Sequence, residues 1–178
     1  MTDDKLTLRS ANLAVSLSQS AIQTFHAHRQ MHFWHREAGG QLFGISKPGH
    51  WVILDATGPR TEDRRSRFAF WPSRAAEQRE IEAYHERGLE YLGDWHTHPE
   101  NEPTPSSKDI DTIRDIVRES QHHLPGFLLC IIGRAELSAG MWLSFHDRGG
   151  ATTRLTSRRN IEEATGSTAR SPSKVRII

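Results

Sequence analysis

A chain of 178 residues with 23 Lys+Arg against 22 Asp+Glu has a formal net charge of +1, so no basic field marks it for nucleic acid. Its hydrophobic fraction of 35% lies below the usual ~45–50%, a range that also counts glycine; that supports one core and not two, and no run reaches the ~18 apolar residues of a membrane span. The single cysteine, Cys130, excludes an internal disulfide framework, and a leaderless, disulfide-free chain is expected in the cytoplasm.

In chain order, residues 5–10 alternate like a short edge strand. Residues 16–35 read as a helix with Ile22, Phe25, Arg29 and Phe33 as its inner stripe. Glu37 and the pair Gly39-Gly40 follow, and the glycines allow a backbone or ligand to approach closely. Strands are expected at 41–46 and 51–56, joined as a hairpin by the turn Lys47-Pro48-Gly49-His50. The stretch 57–67 is polar and charged and reads as a solvated loop or a substrate-facing one. Residues 68–71 read as a strand, and Ser73 starts a helix to Arg87, with Gly88 at its end.

Leu89 to Gly93 reads as a strand leading into His96-Thr97-His98-Pro99. Residues two apart share a side only in an extended chain, so this pair suits a metal when it sits on a strand. Imidazole is a common zinc ligand, and a catalytic zinc takes three protein ligands and a water. Asp109 is the candidate third ligand, at the start of a helix marked by Ile110, Ile113, Ile116 and Val117. A carboxylate on that apolar face is costly unless coordinated or paired. Ser106-x-x-Asp109 also resembles a capping box, which explains the same residues without a metal. Asp94 reads as a solvated strand acid, and the remaining histidines lack a partner at ligand spacing. Buried strands follow at 127–132 and 138–146. Residues 150–178 are rich in Ser, Thr and Arg and read as a basic, flexible tail, leaving 1–149 as the domain.

Strands and helices mix in an α/β (α+β-like) order, and the hairpins prevent a wholly parallel sheet. A single domain with a curved mixed β-sheet flanked by helices is expected.

His96-x-His98-Pro99, six residues, then Ser106-x-x-Asp109, with Glu37 before a Gly-rich strand upstream, resembles the JAMM motif of JAB/MPN metalloproteases across roughly residues 6–147. The resemblance implies that fold and one zinc per chain held by His96, His98 and Asp109. It also implies Glu37 as general base and Ser106 as oxyanion donor, with Ser107 as competitor for the latter role. Taken alone, Glu37 reads as a surface residue at a helix end, since lone glutamates are usually exposed.

Asp63 to Phe68, Gly93 to Glu100 and Pro103 to Ser106 further resemble the small bacterial JAB proteins of antiphage CBASS operons. That resemblance implies a deconjugase acting on a CD-NTase whose C-terminal carboxyl is joined to another protein's amine. Selectivity is then expected where an extended tail meets the metal, with Arg64, Arg65, Phe68, Phe70 and Trp71 as substrate-binding candidates. The competing readings are a peptidase for another ubiquitin-like or sulfur-carrier protein, a non-catalytic MPN interaction module, and a RadC-like JAB protein. The non-catalytic modules typically lack the metal ligands present here.

Overall fold

The structure, a computed structural model, describes residues 6–157. The strands are β1 (Thr7–Arg9), β2 (Ala14–Leu17), β3 (Gly39–Lys47), β4 (His50–Ala56), β5 (Arg64–Arg65), β6 (Phe70–Trp71), β7 (Glu90–Thr97), β8 (Gly126–Ile132), β9 (Met141–Asp147) and β10 (Thr152–Ser157). The helices are α1 (Gln19–His28), α2 (Arg74–Glu86), α3 (Ser107–Glu119) and the single turn α4 (Leu137–Gly140).

Eight strands close into a barrel in the order β1-β10-β9-β8-β7-β3-β4-β2, and β5 and β6 form a separate two-stranded ladder. This corrects the expected curved open sheet. The difference lies in two strands the residue pattern conceals. Ala14 to Leu17 is buried at every position, so it has no alternation to separate it from the helix expected over 16–35. That helix starts later, where Ser18 caps it by accepting from the Ala21 amide, and stops at His28. At the other end, β10 is mostly exposed and polar, and buries only Leu155 and Ser157. The short strand β1 pairs antiparallel with both β2 and β10. Without β2 and β10 the sheet would have two open edges; with them it has none.

β10, at Thr152–Ser157, lies past the boundary expected at 149. The rest of the expected tail, 158–178, lies outside the described residues.

Two features of the barrel set up the site. β3 runs antiparallel to β7 with Gly39 opposite His96 and Gly40 opposite Trp95. β7 and β8 are parallel, and parallel neighbours need a crossover, here made by α3. The chain therefore leaves β7 beside its histidines and returns through the start of α3 over the same end of the strand. β7 itself alternates: Trp95 is buried against Phe25 at 5.0 Å between ring centroids and donates to the Thr57 carbonyl at 2.8 Å. His96 and His98 stay half-buried on the other side.

Among the described residues, no helix is long and apolar enough to cross a membrane. Cys130 is buried on β8.

Candidate metal centre

Glu37 lies between α1 and β3, and its place is fixed through the backbone. Its amide donates to the Ser66 carbonyl at 2.7 Å, and its carbonyl accepts from Arg65 Nε at 2.7 Å. One residue on, the Ala38 amide donates to Thr97 Oγ1 at 3.0 Å, and the Thr97 amide donates back to the Ala38 carbonyl at 2.8 Å. Thr97 Oγ1 in turn donates to Gln30 Oε1 at 2.9 Å, and Gln30 Nε2 donates to the Arg67 carbonyl at 2.8 Å. Gln30 and Thr97 are buried, so these groups depend on one another for hydrogen bonds they cannot take from water. The network locks Glu37 against the end of β7. Gly39 belongs to the same design, since a Cβ there would lie 2.7 Å from both the Trp95 carbonyl and the Phe70 ring.

The four groups of the motif converge. His96 Nε2 and His98 Nε2 face each other at 3.1 Å. Glu37, His96 and His98 each bring a ligand atom within 4.8 Å of the others, a cluster able to hold a metal ion. Asp109 approaches from α3, with Oδ1 3.2 Å from His96 Nε2 and Oδ2 3.5 Å from His98 Nε2. Glu37 Oε1 stands farther off, 4.0 Å from His96 Nε2.

The capping box is also present. Ser106 Oγ accepts from the Asp109 amide at 3.2 Å, and Asp109 Oδ2 accepts from the Ser106 amide and hydroxyl, each at 2.7 Å. The two readings of Asp109 are therefore compatible, because the cap fixes the rotamer that presents Oδ1 to His96. Ser106 lines the cleft and Ser107 does not.

Electrostatics separate the two carboxylates. Burial raises the pKa of Glu37 above its ordinary value, against the lowering pull of His96 and His98. Burial also works against Asp109, but hydrogen bonds from His96, His98 and Ser106 outweigh it and hold its carboxyl well below the usual range. For His98, the hydrogen bond and charge of Asp109 more than offset burial and raise its pKa. A carboxylate kept ionised beside one that keeps its proton affinity suits a ligand beside a base.

The cleft over this cluster has a volume of about 370 Å³. Of the five substrate-binding candidates, Phe68 and Phe70 line it, while Arg64, Arg65 and Trp71 do not. Arg65 instead holds the Glu37 backbone. Trp71 is outside, flanked by Arg64 at 5.9 Å and Lys108 at 5.5 Å from its ring.

Three polar residues in the cleft went unrecognised in the sequence. Asp94 is not a solvated strand acid: it lines the cleft, accepts from the Tyr91 hydroxyl at 2.8 Å, and is pushed up to about 7 by burial and then by Glu77. Its signal was available, since it precedes His96 by two and so shares its side of β7. Glu77 and its ion-pair partner Arg74, 2.7 Å away on α2, carried no comparable signal.

Residues 18–146 match the family of prokaryotic homologs of the JAB domain. The chain belongs to that family. Among its relatives, a CD-NTase/cGAS isopeptidase from Pseudomonas aeruginosa is 33% identical over 140 residues, covering 76% of this chain and 83% of the relative. A protein of the same name from Vibrio cholerae is 29% identical over 153 residues, covering 83% and 92%. The solution structure of protein DSY2949 from Desulfitobacterium hafniense superposes with a TM-score of 0.58 at 19% identity, covering 80% of this chain and 90% of that one; it speaks to the fold alone. A JAB domain with Glu37, His96 and His98 clustered in its cleft is a JAMM-type metallopeptidase, and kinship with the isopeptidases supports deconjugation as its general activity.

Proposed function

We propose that this JAB protein is a zinc isopeptidase that releases a CD-NTase from a conjugate made through its C-terminal carboxyl, in antiphage defence of the CBASS type. The observation that carries the reading is the convergence of His96, His98 and Asp109 on one point with Glu37 just beyond it. Two imidazole nitrogens and a carboxylate, half-buried and held from behind by a capping serine, form a donor set that zinc accepts.

In this reading His96, His98 and Asp109 hold the metal. Zinc supplies a Lewis acid and an acidified water at neutral pH. Glu37, buried and with raised proton affinity, takes the proton of the attacking water and returns it to the departing amine. The Ser106 hydroxyl, which now donates to Asp109, lies at the cleft wall where it can turn to the carbonyl oxygen as charge develops there. The Phe68 and Phe70 rings offer apolar contact to an extended C-terminal tail. The isopeptidase relatives support the choice of a CD-NTase as the protein released.

The test is intact-mass analysis of a CD-NTase carrying a protein joined to its C-terminus, after incubation with the purified chain. Cleavage just after the last CD-NTase residue, abolished by chelation and by Glu37→Gln, is the expected result. No cut at that junction, with equal activity on unrelated unfolded peptides, would make the protein a general peptidase.

A further inference from the structure

Among the described residues, the exposed large apolar side chains are Met31, Phe33, Trp34, Phe68, Trp71 and Ile45. All except Ile45 lie on two loops, 31–36 after α1 and 64–71 around β5 and β6. Phe33, Trp34 and Phe68 are 71%, 63% and 72% exposed. The loops are one body: Arg67 donates through Nη1 to the Phe33 carbonyl, and Gln30 bonds the Arg67 carbonyl. Phe33 and Trp34 meet edge to face at 4.9 Å, and the Arg67 guanidinium lies 5.2 Å from the Phe68 ring. Apolar surface gathered in this way marks an interaction site rather than the scattered exposure of an ordinary surface.

Residues 29–36 and 64–71 contain five arginines and no Asp or Glu. Arg36 and Arg64 are exposed, and Lys108 extends the positive charge to the edge of the metal cluster. Aromatic rings set among arginines are the residue types that dominate protein interfaces.

We propose that loops 31–36 and 64–71 form one docking platform for the folded body of the conjugate, whose facing surface is acidic and studded with apolar residues. The inference rests on the deconjugase reading and adds to it where selectivity comes from. The tail enters the cleft past Phe68, which borders both cleft and platform. A body tethered to that tail is thereby brought against Phe33 and Trp34. A protein is favoured over nucleic acid because the platform is continuous with a peptidase cleft.

The experiment compares two substrates: the CD-NTase conjugate described above, and a short peptide carrying the same C-terminal junction. The double variant Phe33→Ser/Trp34→Ser alters neither the metal cluster nor the cleft lining. It is expected to raise KM for the conjugate at least ~10-fold, the scale of losing an interface anchor, while kcat holds and the short-peptide kinetics change less than ~2-fold. Arg36→Glu/Arg64→Glu, which removes no apolar group, should act in the same direction and abolish any salt dependence of the conjugate KM. It keeps the test valid if the serine variant melts early.

Wild-type cleavage of both substrates with unchanged conjugate KM in both double variants would overturn the inference alone. Failure of wild type to cleave either substrate would overturn the deconjugase reading and the platform with it. With unchanged conjugate KM, a dimer that the serine variant dissociates would assign the face to a second copy. Variant-sensitive binding of a thymidine oligonucleotide, under the same condition, would assign it to nucleic acid. Both outcomes contradict the proposal.

Discussion

Glu37 and Asp109 show how two carboxylates a few ångströms from the same imidazoles take different parts. Glu37 is buried, and among the described residues the pull of His96 and His98 does not offset that burial, so its proton affinity rises; Asp109 accepts from two imidazoles and from Ser106, so its proton affinity falls. Glu37→Gln keeps size and polarity but cannot accept a proton. Turnover on a conjugate should drop at least ~10²-fold, the usual scale for losing a general base, while thermal stability stays near wild type. Near-normal turnover would make Glu37 structural. At this scale the histidine pair and its companions were legible because their chemistry depends on spacing along the chain. Asp94 was less so, and Glu77 not at all, because its pairing with Arg74 within α2 looks like any surface i,i+3 pair and its approach to Asp94 on β7 exists only in the fold.

At the scale of elements, the strands flanking the site were readable and the seam of the barrel was not. α3 announces itself through apolar periodicity and β8 through a seven-residue buried run, whereas β2 is a four-residue buried stretch running straight into α1 and β10 buries almost no apolar residue. A buried histidine lies at that seam. His146 on β9 bonds Ser144 Oγ at 2.9 Å and, across to β10, Thr152 Oγ1 at 3.2 Å. Burial, followed by the charge of Arg114, pushes its pKa from 6.5 down to about 4. The folded state thus resists protonation more than the unfolded chain, so the contribution is intact above pH ~6.5 and is lost as pH falls towards ~4. Denaturant unfolding in chelator should show wild type losing on the order of 3 kcal/mol more than His146→Gln across that window, as an upper bound. Parallel pH profiles for the two proteins would show that His146 does not carry this dependence.

The described residues form a closed barrel with the candidate metal cluster at one strand end, and closure depends on β10. Leu155 is buried, and β10 covers the edges of both β1 and β9. The residue pattern reads as a flexible tail after Gly149, yet β10 is a strand of the barrel. A chain ending at Gly149 should lose cooperative unfolding or aggregate, through two open strand edges and the exposed side chains behind them. A chain ending at Ser157 keeps all eight strands and should melt near the full-length temperature. Equal melting of both truncations would show that the barrel closes without β10. The fold class is hidden for the same reason: an open sheet and a closed barrel share their central strands and differ only at the two edges, where the sequence signal is weakest.

Which residues hold the metal decides the roles of all four groups, and zinc content per chain measures that most directly. Elemental analysis of purified wild type, His96→Ala, His98→Ala, Asp109→Ala and Glu37→Gln should give about one zinc in wild type and in Glu37→Gln, and little in the other three, because a catalytic zinc rests on three protein ligands. A full complement of zinc in Asp109→Ala, together with its loss from Glu37→Gln, would exchange the roles of the two carboxylates and contradict the account.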